Sequence, residues 1–145
     1  MLSVRVAVGS AVCGSKENIA KARRMRKIWG GGMRQAGIIA AGALYALRNN
    51  RERVVEDNAK ARRFAEIVAK NAKRVSIDLS SVESNIVLIE LNEKKPDIPK
   101  YLNEISSKGI RLSQGKRTSL RAIAHLDVTM EECEHAASAI SEYFS

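Results

Sequence analysis

The sequence is poor in aromatic residues and in cysteine. Phe, Trp and Tyr make up 4% of its 145 residues, which leaves few side chains on which single-stranded nucleic acid could stack its bases. The two cysteines, Cys13 and Cys133, are far apart and do not have the paired spacing of a zinc site. We therefore expect no metal site and two reduced, buried thiols in a cytoplasmic protein.

Several motifs that identify enzymes are also absent. The sequence has no GxSxG turn, P-loop, zinc-binding pattern or dinucleotide fingerprint. The apolar stretch from Ile38 to Leu47 is far shorter than the about 20 residues that span a bilayer. Arg5 interrupts the mildly apolar start, so we expect neither a signal peptide nor a membrane partner.

Positive charge is present and unevenly distributed. Residues 1–75 contain 17 Lys and Arg against 5 Asp and Glu, a net charge of +12, whereas residues 76–145 contain 8 against 11, a net charge of −3. This difference in net charge between the two halves indicates two structural parts with different surroundings. The basic half could face nucleic acid, a phosphate ligand or an acidic partner surface.

The first half has the pattern of a short buried strand, Val4 to Val12, followed by helices. Ser15 is a plausible N-cap of a helix that runs to about Lys27, where three glycines, Gly30 to Gly32, end it. Two further helices are predicted over 33–48 and 51–73. The segment from Ile38 to Leu47 is apolar on nearly all faces, which predicts burial in a core or at a subunit contact.

The second half alternates strands and helices. The predicted order is strand 75–79, strand 85–91, helix 97–108, strand 110–112, a polar turn 113–117, strand 118–126 and a last helix opened by the capping box of Thr129 and Glu132. The fold class is therefore mixed α+β, with a helix-rich first half and a small α+β lobe with its helices on one sheet face. We divide the chain into 1–50, a connecting helix 51–74, and a small domain 75–145.

Few side chains stand out for chemistry. Alternation places Arg121 opposite Leu120 and Ala122, where its guanidinium could bind a carboxylate or simply lie on an open sheet face. His125 shares that face and also suits a structural role, and His135 is expected to be solvated on the last helix. Lys27 and Arg34 bracket the glycines before a helix, a place that suits a phosphate but equally a solvated basic face.

Three segments resemble the low-specificity L-threonine aldolases, which are pyridoxal-phosphate (PLP) enzymes of fold type I. They are GSKENIAKARRMRKIWGGGMRQAGIIAAGALYAL (14–47), with GGGMRQAG its most specific part, SNIVLIEL (84–91) and SLRAIAHLDVT (119–129). The resemblance implies a lyase of amino acid metabolism that cleaves threonine or allo-threonine to glycine and acetaldehyde, with PLP as the electron sink. It covers nearly the whole chain but only the C-terminal portion of the family's fold.

The resemblance also implies residue roles. Arg121 matches the family arginine that binds the substrate α-carboxylate. Lys27 and Arg34 match basic residues that reach the cofactor phosphate of a neighbouring subunit, so that the apolar segment beside them would build an oligomer contact. A homo-oligomer is therefore expected, and nucleic acid is a less suitable partner than a small amino acid.

One departure from the family pattern is serious. The family carries its cofactor lysine in a motif like LSKGLGAPVGS, whereas residues 2–10 here read LSVRVAVGS and contain no lysine. Arg5 cannot replace it, because its guanidinium stays protonated. We expect a chain that is inactive alone and does not hold PLP covalently: a truncated product, half of a split enzyme with a separate N-terminal chain, or a protein retained for binding. The alternative is a basic nucleic-acid or anion-binding module, or a self-associating interaction protein.

Overall fold

The computed structural model describes residues 11–145, and these divide into two compact units between Arg51 and Glu52. The strand predicted from Val4 falls mostly outside the described residues, as does the LSVRVAVGS stretch. Among the described helices, none is long and apolar enough to cross a membrane.

The first unit contains two helices, α1 (Lys16–Ile28) and α2 (Ala36–Asn49). The predicted cap of α1 is confirmed, because the Ser15 hydroxyl accepts the Asn18 amide N–H at 3.3 Å. The helix ends where the amide of Gly30 donates to the Lys27 carbonyl, with Gly30 at φ 74°. This left-handed conformation favours glycine and explains why the helix stops at the glycine run.

The apolar helix α2 is not buried within this chain. Ala46 is its one buried residue, whereas Ile38 is 78% exposed and Tyr45 66% exposed. Of the two predicted surroundings, a core is not found around this helix within the described residues, and a subunit contact stays a prediction. Large exposed apolar side chains on a helix indicate a surface that contacts a partner.

The second unit is an α+β sandwich. Its elements follow in the order α3 (Val54–Asn71), β1 (Val75–Ser76), a 3₁₀ turn (Leu79–Ser81), β2 (Ile86–Leu91), α4 (Ile98–Ser107), β3 (Ser113–Gln114), β4 (Ser119–Ile123) and α5 (Met130–Tyr143). The strands form one antiparallel sheet in the order β1-β2-β4-β3. The predicted mixed α+β class is confirmed at this level.

One face of the sheet carries the core. Val87, Ile89 and Leu91 alternate along β2 toward the helices, and Leu120 of β4 is fully buried beside them. The three helices supply the other side of the same core, through residues of α3, α4 and α5: Ala61, Phe64, Val68, Ile98, Tyr101, Ile105, Cys133, Ala137 and Ile140. Helix α3, predicted as a connecting helix, packs against α5 and β2 in this unit.

The edge of the sheet differs from the prediction. The strand expected at 110–112 is wrong, and so is the polar turn at Ser113, because β3 begins at Ser113. The end of α4 explains this: Gly109 adopts φ 81°, and the Ile110 amide still donates to the Ile105 carbonyl at 3.4 Å. The Ile110 amide is therefore bonded to the end of α4 and does not pair with a strand.

The start of α5 follows the prediction. The Glu132 amide donates to the Thr129 hydroxyl at 3.1 Å, and the Thr129 amide donates to the Glu132 carboxylate at 2.7 Å. This reciprocal capping box fixes the first turn of the helix. Of the two thiols, Cys133 on this helix is buried as expected, but Cys13 is exposed, so its predicted burial is wrong.

Candidate functional site

Arg121 lies on the open face of the sheet. Its neighbours Leu120 and Ala122 point into the core, and strand alternation turns Arg121 to the opposite face, where it is exposed. It stands directly opposite Leu88 of β2 on one side and Ser113 of β3 on the other. The predicted orientation of Arg121 is confirmed, although exposure alone does not assign it a ligand.

Ser113 contacts the guanidinium of Arg121. The Arg121 Nε–H donates to the Ser113 hydroxyl at 3.0 Å, and that hydroxyl donates to the Arg121 carbonyl oxygen at 3.4 Å. The hydroxyl thus accepts from the side chain and donates to the backbone of the same residue. Local sequence pattern places Ser113 in a turn and does not predict this contact, because the contact depends on cross-strand register.

An open pocket of about 250 Å³ is lined by both residues of this contact. Besides Arg121 and Ser113 it is lined by Arg111, Leu112, Ile123 and His125. Two arginines and no carboxylate are among the described residues that line this pocket, so its electrostatic character favours an anion.

His125 borders the same pocket, as its shared strand face predicts. Its Nδ1 accepts the Asp127 amide N–H at 3.3 Å and lies 3.7 Å from the Asp127 carboxylate. Because Nδ1 accepts a hydrogen bond, the neutral imidazole carries its proton on Nε2 and can donate from there. His135, on α5, is exposed as expected.

Lys27 and Arg34 belong to the helical unit and flank its glycine turn. A Cβ built on Gly32 would lie 3.7 Å from the Lys27 Nζ, so the ammonium folds over the turn. A Cβ on Gly31 would approach the Arg26 side chain to 2.9 Å and the Arg26 carbonyl oxygen to 3.2 Å, which explains a glycine there. Arg34 is exposed two residues before α2, whose first turn contains no acidic residue.

A second, larger groove of about 650 Å³ lies in the α+β unit, and most of its exposed lining is apolar. Cys133 and His135 line it together with the loop after α4. Burial raises the pKa of the Cys133 thiol, which keeps it protonated and a weak nucleophile at neutral pH. The groove therefore lacks an activated nucleophile at this position.

A covalent link to PLP needs a lysine in a suitable setting. Every lysine of the sequence lies within residues 11–145, and there only Lys60 is buried. Lys60 is held in an ion pair with Asp57 at 3.3 Å, and the other lysines are exposed. The cationic side chains Lys27, Arg34 and Arg121 fit the anionic groups of a cofactor and substrate, but no lysine has the enclosed, unpaired setting of a covalent cofactor link.

The chain is similar to low-specificity L-threonine aldolase 1 of Arabidopsis thaliana, with 30% identity over 93% of this chain and 38% of that protein. It is 33% identical to a probable low-specificity L-threonine aldolase 2 of the same plant, over 94% and 39%. It is also 32% identical to the low specificity L-threonine aldolase of Escherichia coli K12, over 90% and 37%.

The chain therefore spans less than two fifths of the length of these relatives. The matches give no support to the alternative of a nucleic-acid-binding module. A family model described as beta-eliminating lyase, a PLP-dependent family, matches residues 3–93. Because that match covers more than half of the sequence, this chain belongs to the beta-eliminating lyase family.

Proposed function

We propose that this chain supplies substrate and cofactor contacts to a PLP-dependent aldehyde-lyase site that cleaves threonine or allo-threonine to glycine and acetaldehyde in the cytoplasm. The observation that carries the proposal is Arg121: an exposed guanidinium in an open pocket whose described lining includes no carboxylate, in a chain similar to threonine aldolases. PLP, when bound, acts as the electron sink. The residues of this chain bind the substrate and the cofactor and orient them.

Arg121 has the role of binding the substrate α-carboxylate. A planar guanidinium can give a carboxylate two parallel hydrogen bonds, which fixes the orientation of the substrate as well as its position. Its place in the middle of β4, paired with strands on both sides, holds its backbone rigidly. Orientation of this kind lowers the entropy cost of reaching the reactive geometry.

Lys27 and Arg34 have the role of neutralising the cofactor phosphate of a neighbouring subunit. Both are exposed cations at a glycine turn, and within the described residues neither has a hydrogen-bonding or ion-pair partner. Exposed cations at such a turn can approach a phosphate closely, since glycine leaves the backbone uncovered.

The lysine that links PLP covalently is proposed to lie outside this sequence, so that the chain is inactive alone. The matching stretch LSVRVAVGS contains no lysine, and Lys60 is already paired. The arrangement we infer is the C-terminal part of a fold type I enzyme, with residues 1–50 from the large domain, 51–74 as connection and 75–145 as the small domain.

The lysine claim is tested by titrating the purified chain with PLP, followed by borohydride reduction and peptide mass mapping. We expect no saturable absorbance band, and scattered labelling of exposed lysines only. A saturable band that borohydride fixes to a single lysine would show that this chain carries its own covalent site. In that case a threonine cleavage assay of the chain should follow directly.

We also propose that α2 forms a contact between copies of this chain. Its exposed large apolar side chains, Ile38, Leu44, Tyr45 and Leu47, would cost free energy in water and be stabilised by a partner face. Light scattering after size exclusion should give a mass above one chain, and Ile38→Glu should lower it. Val55→Glu, at an exposed apolar position in α3, is the matched control and should leave the measured mass unchanged. A monomeric native chain at high concentration would exclude this contact.

A further inference from the structure

We propose that Ser113 is a positioning residue for Arg121, and that it makes the substrate carboxylate bind through the two terminal Nη atoms of the guanidinium. This inference rests on the proposed role of Arg121 in carboxylate binding. It goes further by naming the edge of the guanidinium that the substrate meets and the residue that determines it.

An arginine can present a carboxylate with either of two edges. One edge consists of Nε–H and one Nη, and the other consists of Nη1 and Nη2. In this structure the Nε–H of Arg121 already donates to the Ser113 hydroxyl at 3.0 Å. A carboxylate at the first edge would have to displace that bond, whereas within the described residues both Nη groups are without a hydrogen-bonding partner.

The orientation of the Ser113 hydroxyl supports this role. Ser113 stands directly opposite Arg121 in the β3–β4 pairing, and its hydroxyl donates to the Arg121 carbonyl oxygen at 3.4 Å. The hydroxyl oxygen accepts the Arg121 Nε–H at 3.0 Å. This second contact restricts the side-chain torsions of Arg121, so less rotational freedom is lost when a ligand binds.

The lining of the pocket indicates which ligand class suits the free edge. Arg111 and His125 line the same space of about 250 Å³, and Leu112 and Ile123 provide its apolar walls. The ligand class is therefore a small carboxylate, with an amino acid as the fitting example. Its carboxylate would be the counter-charge that two guanidinium groups lack in this pocket.

The test uses the full chain, with L-threonine as the probe and L-threoninol, which has no carboxylate, as its ligand control. Arginine side-chain ¹⁵N spectra follow Nε and Nη of Arg121 separately. We expect L-threonine to shift the Nη resonances while Nε keeps its bonded position, and L-threoninol to shift neither. A shift centred on Nε would overturn the proposed edge.

Variants test the positioning role. Ser113→Ala should weaken L-threonine binding about three- to tenfold, the size expected for one lost hydrogen bond. Ser113→Thr keeps the hydroxyl and suits a strand, so it should restore binding. Ser76→Ala, on the opposite edge strand of the same sheet, is the matched control and should leave binding unchanged.

The outcomes separate this inference from the proposed function. If L-threonine binds at Arg121 equally well in Ser113→Ala, the positioning role is wrong while carboxylate binding by Arg121 stands. If L-threonine leaves every Arg121 resonance of the native chain unchanged, carboxylate binding by Arg121 in this chain fails, and the positioning role of Ser113 fails with it. Weakened binding in Ser113→Ala with recovery in Ser113→Thr supports both.

Discussion

Lys60 and Asp57 form an ion pair on the buried side of α3. The Lys60 Nζ lies 3.3 Å from the Asp57 carboxylate, and the side chains are 11% and 12% exposed. The same Nζ lies 3.5 Å from the carbonyl oxygen of His125. Through this contact α3 holds the chain where it leaves β4, close to the Arg121 pocket.

Removing one partner of this pair should destabilise the α+β unit strongly. Lys60→Met leaves the Asp57 carboxylate buried without a counter-charge, and we predict a loss of about 3–5 kcal/mol in the free energy of unfolding. The double variant Asp57→Leu with Lys60→Met should recover most of this loss, since it buries no charge.

Urea denaturation measures the effect of these variants. Arg53→Met, at the N-cap of the same helix, is the control, because Arg53 pairs with Glu56 at 4.0 Å and both side chains are exposed. Such a pair contributes less than about 1 kcal/mol. An equal loss in Lys60→Met and Arg53→Met would show that burial of the pair has no energetic role.

Gly115 should tolerate no side chain. A Cβ there would lie 2.6 Å from the Ser119 hydroxyl oxygen and 3.1 Å from the Leu88 side chain. The Ser119 hydroxyl accepts the Lys116 amide N–H at 2.7 Å, so it cannot move without breaking the β3–β4 turn. We predict that Gly115→Ala costs about 1–3 kcal/mol of stability.

Thermal unfolding followed by circular dichroism tests the Gly115 prediction. Gly42→Ala is the matched control: a Cβ there meets nothing within 4 Å, and the site is inside α2. Alanine is favoured over glycine in a helix by up to about 1 kcal/mol, so this variant should be neutral or stabilising. A stable Gly115→Ala variant would contradict the close packing of this turn.

Glu93 should make stability depend on acid pH. Hydrogen bonds from the Tyr101 hydroxyl and from Arg74 lower the pKa of the Glu93 carboxyl from its usual 4.5. The folded protein therefore takes up this proton less readily than the unfolded chain. The contribution of the Glu93 carboxylate to folding stability is therefore complete above the usual pKa. It is lost as the pH falls through the lowered pKa of the folded protein.

Urea midpoints at about pH 6 and about pH 3 test the role of Glu93. Glu93→Gln should lower the midpoint at the higher pH and show a smaller drop than the native chain on acidification. Glu83→Gln is a control, since Glu83 is an exposed carboxyl in the loop before β2. Parallel pH profiles for the native chain and Glu93→Gln would rule out a coupling between this carboxyl and folding.

The two thiols should differ sharply in reactivity. Cys13 is exposed, whereas Cys133 is buried and its pKa is raised chiefly by that burial. A thiolate-specific reagent should modify Cys13 at once and Cys133 only as the α+β unit opens. Peptide mapping after a short exposure measures this, and urea should make the two rates converge. Rapid labelling of Cys133 in native buffer would contradict its packing against the core.

Local sequence signals predicted much of this fold. Ser15, Thr129 with Glu132, and Gly109 each marked a helix end, because capping is decided by a few neighbouring residues. The alternation around Arg121 also placed its side chain on the correct face, because a strand has a fixed period of two residues.

Features that depend on contacts between distant segments could not be predicted from local sequence patterns. The β3 strand, the Ser113–Arg121 bond and the Lys60–Asp57 pair under His125 depend on register and packing, and no local pattern encodes them. The apolar pattern of Ile38 to Leu47 predicts burial in a core or at a subunit contact, and the described chain leaves most of that helix exposed, so the subunit contact stays a prediction. Apolar composition indicates that a surface needs a partner but does not identify the partner.

The most direct test of carboxylate binding at Arg121 is an amide ¹H–¹⁵N titration of the chain with L-threonine. We predict shifts that cluster around Arg121, Ser113 and His125, that vanish in Arg121→Gln and that persist in Arg117→Gln, an exposed arginine nearby in sequence. Shifts that are unchanged in Arg121→Gln, or that lie elsewhere in the chain, would contradict a substrate site at Arg121.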